Sequence, residues 1–205
     1  MAPPSGRKKT TAKGKRIVSE RLVQAARTII IRDGLAALTF ASIESESGAS
    51  RSLIHYHFGG RDGLLMAVVD SIFDAWRQES EADAALDGDE QTRLMASLDL
   101  DERMSADRET MTLFVELLPH ILRAPELCER LRAEYREGSF LERRVLTSVS
   151  TDVERNDLAG LMIAMVDGLG LQLLVDPDHV QHPRLFQAWK DVVLQFVQSK
   201  PPHQE

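Results

Sequence analysis

Residues 39–64 read TFASIESESGASRSLIHYHFGGRDGL, and this stretch limits the architecture of the chain more than any other. Two short segments with helical apolar spacing are separated by Ser47-Gly48-Ala49-Ser50 and closed by Phe58-Gly59-Gly60-Arg61-Asp62. Thr39 and Ser50 carry hydroxyls able to accept from a free amide at a helix start, while Gly48 ends the first segment and Phe58-Gly59-Gly60 breaks the second. The spacing predicts a helix behind Thr39 that holds Phe40, Ile43 and Ser47, a tight turn, and a second helix from Ser50 to about His57. That is a helix-turn-helix pattern.

The flanking sequence keeps a helical period throughout. Val18, Leu22, Ala25, Ala26 and Ile29 stripe a helix expected over 16–32 and stopped by Asp33-Gly34. A fourth helix opens at Asp62, whose carboxylate suits a helix start, and turns Leu65, Val68, Val69, Ile72 and Trp76 inward. It should fray through the acidic, alanine-rich stretch from Glu79 to Asp89. A fifth is expected over 90–104, its stripe of Leu94, Met95, Leu98 and Met104 interrupted by Asp99 and Asp101. The sixth ends near Arg123 with Pro119 inside it, where a lost ladder hydrogen bond should kink it, and Pro125 opens a seventh reaching about Val149. The eighth, over 156–175, is apolar nearly all round, and the ninth covers 184–198. No β-strand pattern of any length appears, so the expected fold is all-α with nine helices. A helix like the eighth must be covered on nearly all sides, and a partner subunit would supply the missing cover.

Charge is unevenly distributed. The net charge is −7, yet residues 1–16 contain Arg7, Lys8, Lys9, Lys13, Lys15 and Arg16 without an acid, and removing those six leaves −13 on the remainder. A basic arm on an acidic body can seek phosphate at one end, although such arms also serve only as solubilising tails. Residues 1–15, rich in Pro, Gly, Lys and Thr, are expected to be a disordered arm. The single Cys128 permits no intramolecular disulfide, which agrees with a reducing compartment. No apolar run is read as approaching the ~18 residues of a membrane span, and no signal-peptide core follows the N-terminal charges, so a cytoplasmic protein is expected. His-Glu-x-x-His, G-x-S-x-G, P-loop and strand-linked G-x-G-x-x-G motifs are absent, and His55 and His57, two apart on a helix, diverge; neither an enzyme nor a cofactor or metal is expected.

From Thr39 onward the pattern resembles the DNA-binding domain of the TetR family of bacterial transcription regulators, whose signature is roughly T-x-x-x-I-A-x-x-A-G-V-S-x-x-x-(I/L)-Y-x-H-F-x-x-K-x-x-L. Thr39, Ile43, Gly48, Ser50, Ile54, His57, Phe58 and Leu64 match it, and Arg61 stands at the lysine position. Glu44 and Ser47 replace alanines, Ala49 a valine and His55 a tyrosine. Further on, Ala164-Met165-Val166-Asp167-Gly168-Leu169 is similar to the Asp-Gly-Leu segment of BetI-like members, in which the last two helices of each subunit build a four-helix dimer interface.

The resemblance implies three domains of use: the arm at 1–15, a DNA-binding domain at 16–62, and an effector-binding and dimerisation domain at 63–205. It implies contacts to operator DNA from Thr39, Arg51, Ser52, Leu53, His55, Tyr56, His57 and Arg61, with Lys13, Lys15 and Arg16 joining from the arm. Arg51 can read guanine through two donors, whereas Thr39, Tyr56 and His57 suit phosphate oxygens. For His55 and His57 a capping or packing role stays open. A pocket for an apolar or amphipathic small-molecule effector is expected among Trp76, Met95, Met104, Met111, Phe114, Leu118, Tyr135, Met162 and Met165, the alternative being that these only fill the domain. The dimer interface is expected at Leu161, Asp167, Leu171, Leu174, Trp189, Val193 and Phe196; Asp167 could instead serve a local helix end or bind ligand. The implied function is a cytoplasmic, effector-released repressor that binds a palindromic operator as a dimer. The rival is a helical dimeric interaction module that kept the fold without specific DNA binding, with Glu44 as its motivation.

Overall fold

In the computed structural model, residues 12–84, 88–146 and 151–199 are described, and among them there are nine α-helices, one short 3₁₀ turn and no strand. The chain divides between Ser71 and Ile72 into two compact units. That division falls inside the fourth helix, downstream of the boundary drawn at 62/63.

The first unit holds α1 (Ala12–Asp33), a 3₁₀ turn (Leu35–Ala37), α2 (Phe40–Ser47), α3 (Arg51–Phe58) and the start of α4 (Arg61–Ala84). Helix α1 begins at Ala12 rather than near Arg16, so the last residues assigned to the arm are helical; residues 1–11 lie outside the described set. The missing apolar period before Val18 hid this turn from the sequence reading. Leu22, Ala26, Ile29 and Ile30 of α1, Ile43 of α2, Ile54 of α3 and Leu64, Leu65, Val68 and Val69 of α4 are all buried. Thr39 closes a capping box: its hydroxyl accepts from the Ser42 amide at 3.1 Å, and its own amide donates to Ser42 Oγ at 2.9 Å. Gly48 takes φ +65° at the end of α2, a conformation that L side chains adopt at a cost. At Gly63, a Cβ would stand 1.8 Å from the Phe58 carbonyl oxygen, so only glycine lets the first turn of α4 approach the end of α3 this closely.

The second unit contains the remainder of α4, then α5 (Glu90–Ala106), α6 (Arg108–Arg123), α7 (Pro125–Val145), α8 (Asp152–Val175) and α9 (His182–Gln198). Asp107 ends α5 and also caps α6, accepting from the Thr110 amide at 3.1 Å. Leu94 and Leu98 of α5, Leu158, Ala159 and Met162 of α8 and Val193 of α9 form a buried cluster with Leu146, against which Trp189 and Phe196 pack. Contrary to the sequence expectation, Val153–Val175 is long and apolar enough to cross a membrane by length and composition. Part of that apolar character is explained within the unit, since Leu158, Met162, Val166 and Leu169 are buried.

A polar seam ties α9 to α5. Lys190, 5 % exposed, places Nζ 2.6 Å from Asp99 and 2.5 Å from Glu102. Buried His182 has Nε2 2.8 Å from Ser105 Oγ, whose own proton goes to the Glu102 carbonyl at 3.0 Å, so Nε2 carries the hydrogen. Burial lowers the His182 pKa and the nearby Glu102 only partly opposes it. The unfolded chain therefore takes up this proton first, and the His182 contribution is complete above pH ~6.5 and lost as pH falls below it. Thermal melts at pH 7.5 and 5.5 should show a larger drop for the native chain than for His182→Gln, and equal drops would remove His182 as the cause.

Candidate nucleic-acid interface and ligand cavity

Helix α3 is held at both ends by local chemistry. Ser50 makes no capping bond through its side chain; its hydroxyl pairs with Ser52 Oγ at 2.8 Å. The Glu44 carboxylate takes its place and accepts the backbone N–H of Arg51, which puts an anion where a helix start favours one. Ser47 bonds the Ile43 carbonyl at 2.6 Å and accepts from the Ala49 amide at 3.1 Å. Two departures from the family pattern thus brace the turn, and the feature that motivated the interaction-module rival is a helix cap. At the other end Gly59, φ +74°, donates to the His55 carbonyl at 2.9 Å.

With Ile54 buried and Phe58 half-buried, α3 turns Arg51, Ser52, His55 and Tyr56 to solvent. Leu53 and His57 are half-buried, and His57 sits edge-on to Tyr56 with centroids 5.1 Å apart. The Arg51 guanidinium lies 4.2 Å from the centre of the Phe40 ring, on which the His55 ring also stacks at 5.2 Å. Lys15 reaches α3 from α1, its Nζ 5.2 Å over the Tyr56 ring. Arg16 instead pairs with Glu20 along α1 at 3.3 Å, and the Lys13 side chain lies outside the described residues. Thr39 is exposed but engaged as a cap. Arg61 reaches back to the segment before α2, donating to the Leu38 carbonyl at 3.4 Å, and stands 3.7 Å from Asp62.

The second unit encloses a cavity of about 100 Å³ between α4, α5, α7 and α8. Of the residues expected there, Trp76, Met104 and Tyr135 line it; Met95, Met111, Phe114, Leu118, Met162 and Met165 do not. Met111 and Met162 are core, and Phe114 packs edge-on behind Trp76 at 5.8 Å. The Met111 side chain fills the space beside Gly170. Sequence reasoning left ligand binding open for Asp167 but missed the other acids. Asp101, Glu134, Glu137 and Asp167 line the cavity against one base, Arg77, which itself pairs with Glu134 and Asp74. Tyr135 donates to Asp167 Oδ2 at 2.8 Å. Burial raises the Asp167 pKa, an effect that the Tyr135 hydrogen bond opposes, while burial and the neighbouring Asp167 push the Tyr135 hydroxyl well above its ordinary value. Two signals were available in the sequence: Asp101, a carboxylate breaking the apolar stripe of α5, and Asp167, a carboxylate within the apolar α8.

This arrangement corrects the expected interface. Asp167 faces the cavity, and Val193 is fully buried in the core. Leu161 and Leu171 stay exposed at 56 % and 46 %, joined by Val153 and Val175 on α8 and by Leu185 and Val192 on α9. Leu174, Trp189 and Phe196 are half-buried. Among the described residues no group of three or more His, Cys, Asp or Glu is placed to hold a metal ion.

Two family models match the chain: that of the bacterial regulatory proteins of the tetR family over residues 22–68, and that of the BetI-type transcriptional repressor C-terminal region over 89–198. The chain is 25% identical over 195 residues to the transcriptional regulator TtgR of Pseudomonas putida, covering 88% of this chain and 91% of the relative. A transcriptional regulator from Rhodococcus sp. Rha1 shares the fold at a TM-score of 0.76, with 19% identity over 91% of this chain and 99% of that one. Another, from Saccharomonospora viridis and solved in complex with choline, superposes at 0.72, with 19% identity over 92% of this chain and 100% of its own. A capped, exposed helix following a braced turn, a separate helical unit with a cavity, and both family models converge: the chain belongs to the TetR family of bacterial transcription regulators, with a BetI-type C-terminal region.

Proposed function

We propose that the chain is a cytoplasmic repressor that binds a near-palindromic operator as a homodimer, joins the nucleoid while bound, and is released by an organic cation. The observation that carries the DNA reading is the outward face of α3, where Arg51, Ser52, His55 and Tyr56 are exposed while Ile54 anchors the helix beneath them. A major groove admits an α-helix and displays a distinct donor and acceptor pattern for each base pair. Arg51, Ser52 and His55 read bases, with Leu53 beside them. Tyr56, His57, Thr39 and Arg61 set register on the DNA backbone, Arg61 after leaving the Leu38 carbonyl. Lys15, already over Tyr56, adds a phosphate contact, with Lys13 and Arg16 contributing to the same basic end.

Dimerisation runs through the exposed apolar side of α8, extended by Leu185 and Val192. Two readers on a two-fold axis meet successive major grooves roughly 34–36 Å apart, or a multiple of it.

The cavity supports an effector with a positive head and an apolar body. Four acids to one base make its lining anionic, and Trp76 and Tyr135 supply faces for cation–π contact. The S. viridis regulator's choline is a cation of this class. Helix α4 carries Trp76 and Arg77 at the cavity and buries Leu64 and Leu65 in the first unit, so a ligand that prefers a setting of α4 unfit for DNA lowers DNA affinity by up to its difference in affinity for the two states.

Asp167 gives the test. Its raised pKa means that the folded state favours its protonated form; the associated stability is present below the unfolded value near pH 3.9 and lost as pH rises through the folded one. Burial makes the charged form of Asp167 costly in the free protein, and a bound cation offsets that cost. Asp167→Asn should melt at the same temperature or higher, yet bind choline, used as probe, about 10–100-fold more weakly by quenching of tryptophan fluorescence. The uncharged tert-butyl isostere of choline should not bind the native chain. Equal binding of charged and neutral probes would contradict a cationic effector.

A further inference from the structure

We infer that Phe40, on α2 rather than on the reading helix, is a specificity-determining residue that pre-positions Arg51 and His55 as one reading pair. The inference rests on α3 being the groove helix. Phe40 occupies the first position of α2, directly behind the Thr39 cap, and its ring is half-buried. The capping box fixes the backbone from which the ring projects. Arg51 and His55 are four apart on α3 and therefore share a face. Both use the same ring, the guanidinium at 4.2 Å from its centre and the imidazole stacked at 5.2 Å with 25° between planes.

Each reader is held a second time. The backbone N–H of Arg51 is bound by Glu44, and His55 Nδ1 lies 3.2 Å from the Gly59 carbonyl. A carbonyl oxygen only accepts, so Nδ1 carries the hydrogen in that contact and Nε2 of the neutral ring is left as an acceptor. The pair then presents unlike chemistry: Arg51 offers two donors, which fit guanine, and His55 offers an acceptor, which fits the amino group of adenine or cytosine. A free arginine side chain loses rotamer entropy when it is fixed, and a platform that orders it before binding removes part of that loss from the specific complex. Phosphate contacts do not depend on this ordering. Phe40 should therefore change which sequence is chosen while leaving general affinity for duplex DNA in place.

The experiment is selection from a random duplex library with the full-length chain, followed by specific and non-specific affinities over a salt series for the native protein, Phe40→Leu and Phe40→Tyr. Phe40→Leu keeps an apolar side chain in place but removes the ring. It should lose sequence preference at the two positions read by Arg51 and His55, with the ratio of specific to non-specific affinity down roughly fivefold to thirtyfold and the salt slope unchanged. Phe40→Tyr should retain the native site and ratio. A Phe40→Leu protein that selects the same site with the same ratio overturns the inference while leaving the groove reading intact; a native protein that enriches no sequence overturns both. NMR of the native free protein gives a second test independent of any variant's folding. The Arg51 δ and ε protons should be displaced upfield by the Phe40 ring current, and random-coil positions for them would overturn the platform.

Discussion

Leu161→Glu should turn the protein into a monomer and reduce operator affinity about 10²–10⁴-fold, the range lost when two linked binding events become independent ones. Leu161 is 56 % exposed and sits on a side of α8 where Val153, Leu171 and Val175 are also exposed. Along that side Gly160, Ala164 and Gly168 recur every fourth residue and would let a partner helix approach closely. Helix α9 adds Leu185 at 41 % and Val192 at 55 % exposure. A carboxylate in such an interface is desolvated without a partner, whereas in the separated chain it points into water. Sedimentation should therefore report a monomer whose melting temperature in the absence of DNA falls only by the share that dimerisation supplied. Binding of the same duplex should persist only at the weak, salt-sensitive level of a single reader. A Leu161→Glu protein that remains dimeric with native operator affinity would place the interface elsewhere.

Arg51→Ala should cost about 1–3 kcal/mol of discrimination at one base pair of each half-site, and up to twice that on a dimer that uses two. Arg51 is exposed on α3, with its guanidinium over Phe40 and its amide on Glu44. Because the Arg51 side chain is exposed, its removal should leave the fold unchanged, and the backbone N–H that Glu44 accepts is still present in alanine. The signature is then specific: competition with non-specific duplex changes little, preference for a guanine at one position disappears, and the salt slope stays near the native value. Tyr56→Phe offers the contrast, a small and uniform loss across sequences if the hydroxyl grips phosphate. Uniform weakening by Arg51→Ala, with the sequence preference retained, would move Arg51 from the bases to the backbone.

What could be read in the sequence was what local chemistry determines. Thr39, Gly48, Gly59 and the apolar positions of α1 to α4 act within a few residues of themselves, so the turn and both short helices were placed close to their observed bounds. Helix α1 starts earlier than read because Ala12 to Lys15 form helix without an apolar stripe to mark it. The cavity was hidden for a different reason: it is assembled from polar residues of four helices, and no period within one helix shows which acids will converge. Asp99 and Asp101 show both sides of this. Each broke the stripe of α5, and each has a use, Asp99 against Lys190 and Asp101 on the cavity wall. The methionines divide between the two roles left open for them, Met104 on the cavity wall and Met111 and Met162 filling space in the core. On α9 the reading chose Val193 for the interface where Val192 is the exposed residue, a difference of one position and about 100° around the helix.

The departures from the family pattern carry a similar lesson. Glu44 looked unsuited to a helix crossing when judged by size and charge. In the folded unit its carboxylate meets the start of α3, where Ser50 leaves the Arg51 amide without a side-chain cap. Charge placed on a helix terminus is a local fact, but which terminus lies within reach depends on how the turn folds.

Selection of binding sites from a random duplex library by the purified full-length protein tests the central account most directly. The full-length chain should enrich a near-palindrome whose half-sites are centred about one helical turn, or a multiple of it, apart, with a guanine in each half lost on Arg51→Ala and retention of the site reduced by an organic cation such as choline. Enrichment of no sequence by an intact dimer, or of a single site without two-fold symmetry, would contradict it.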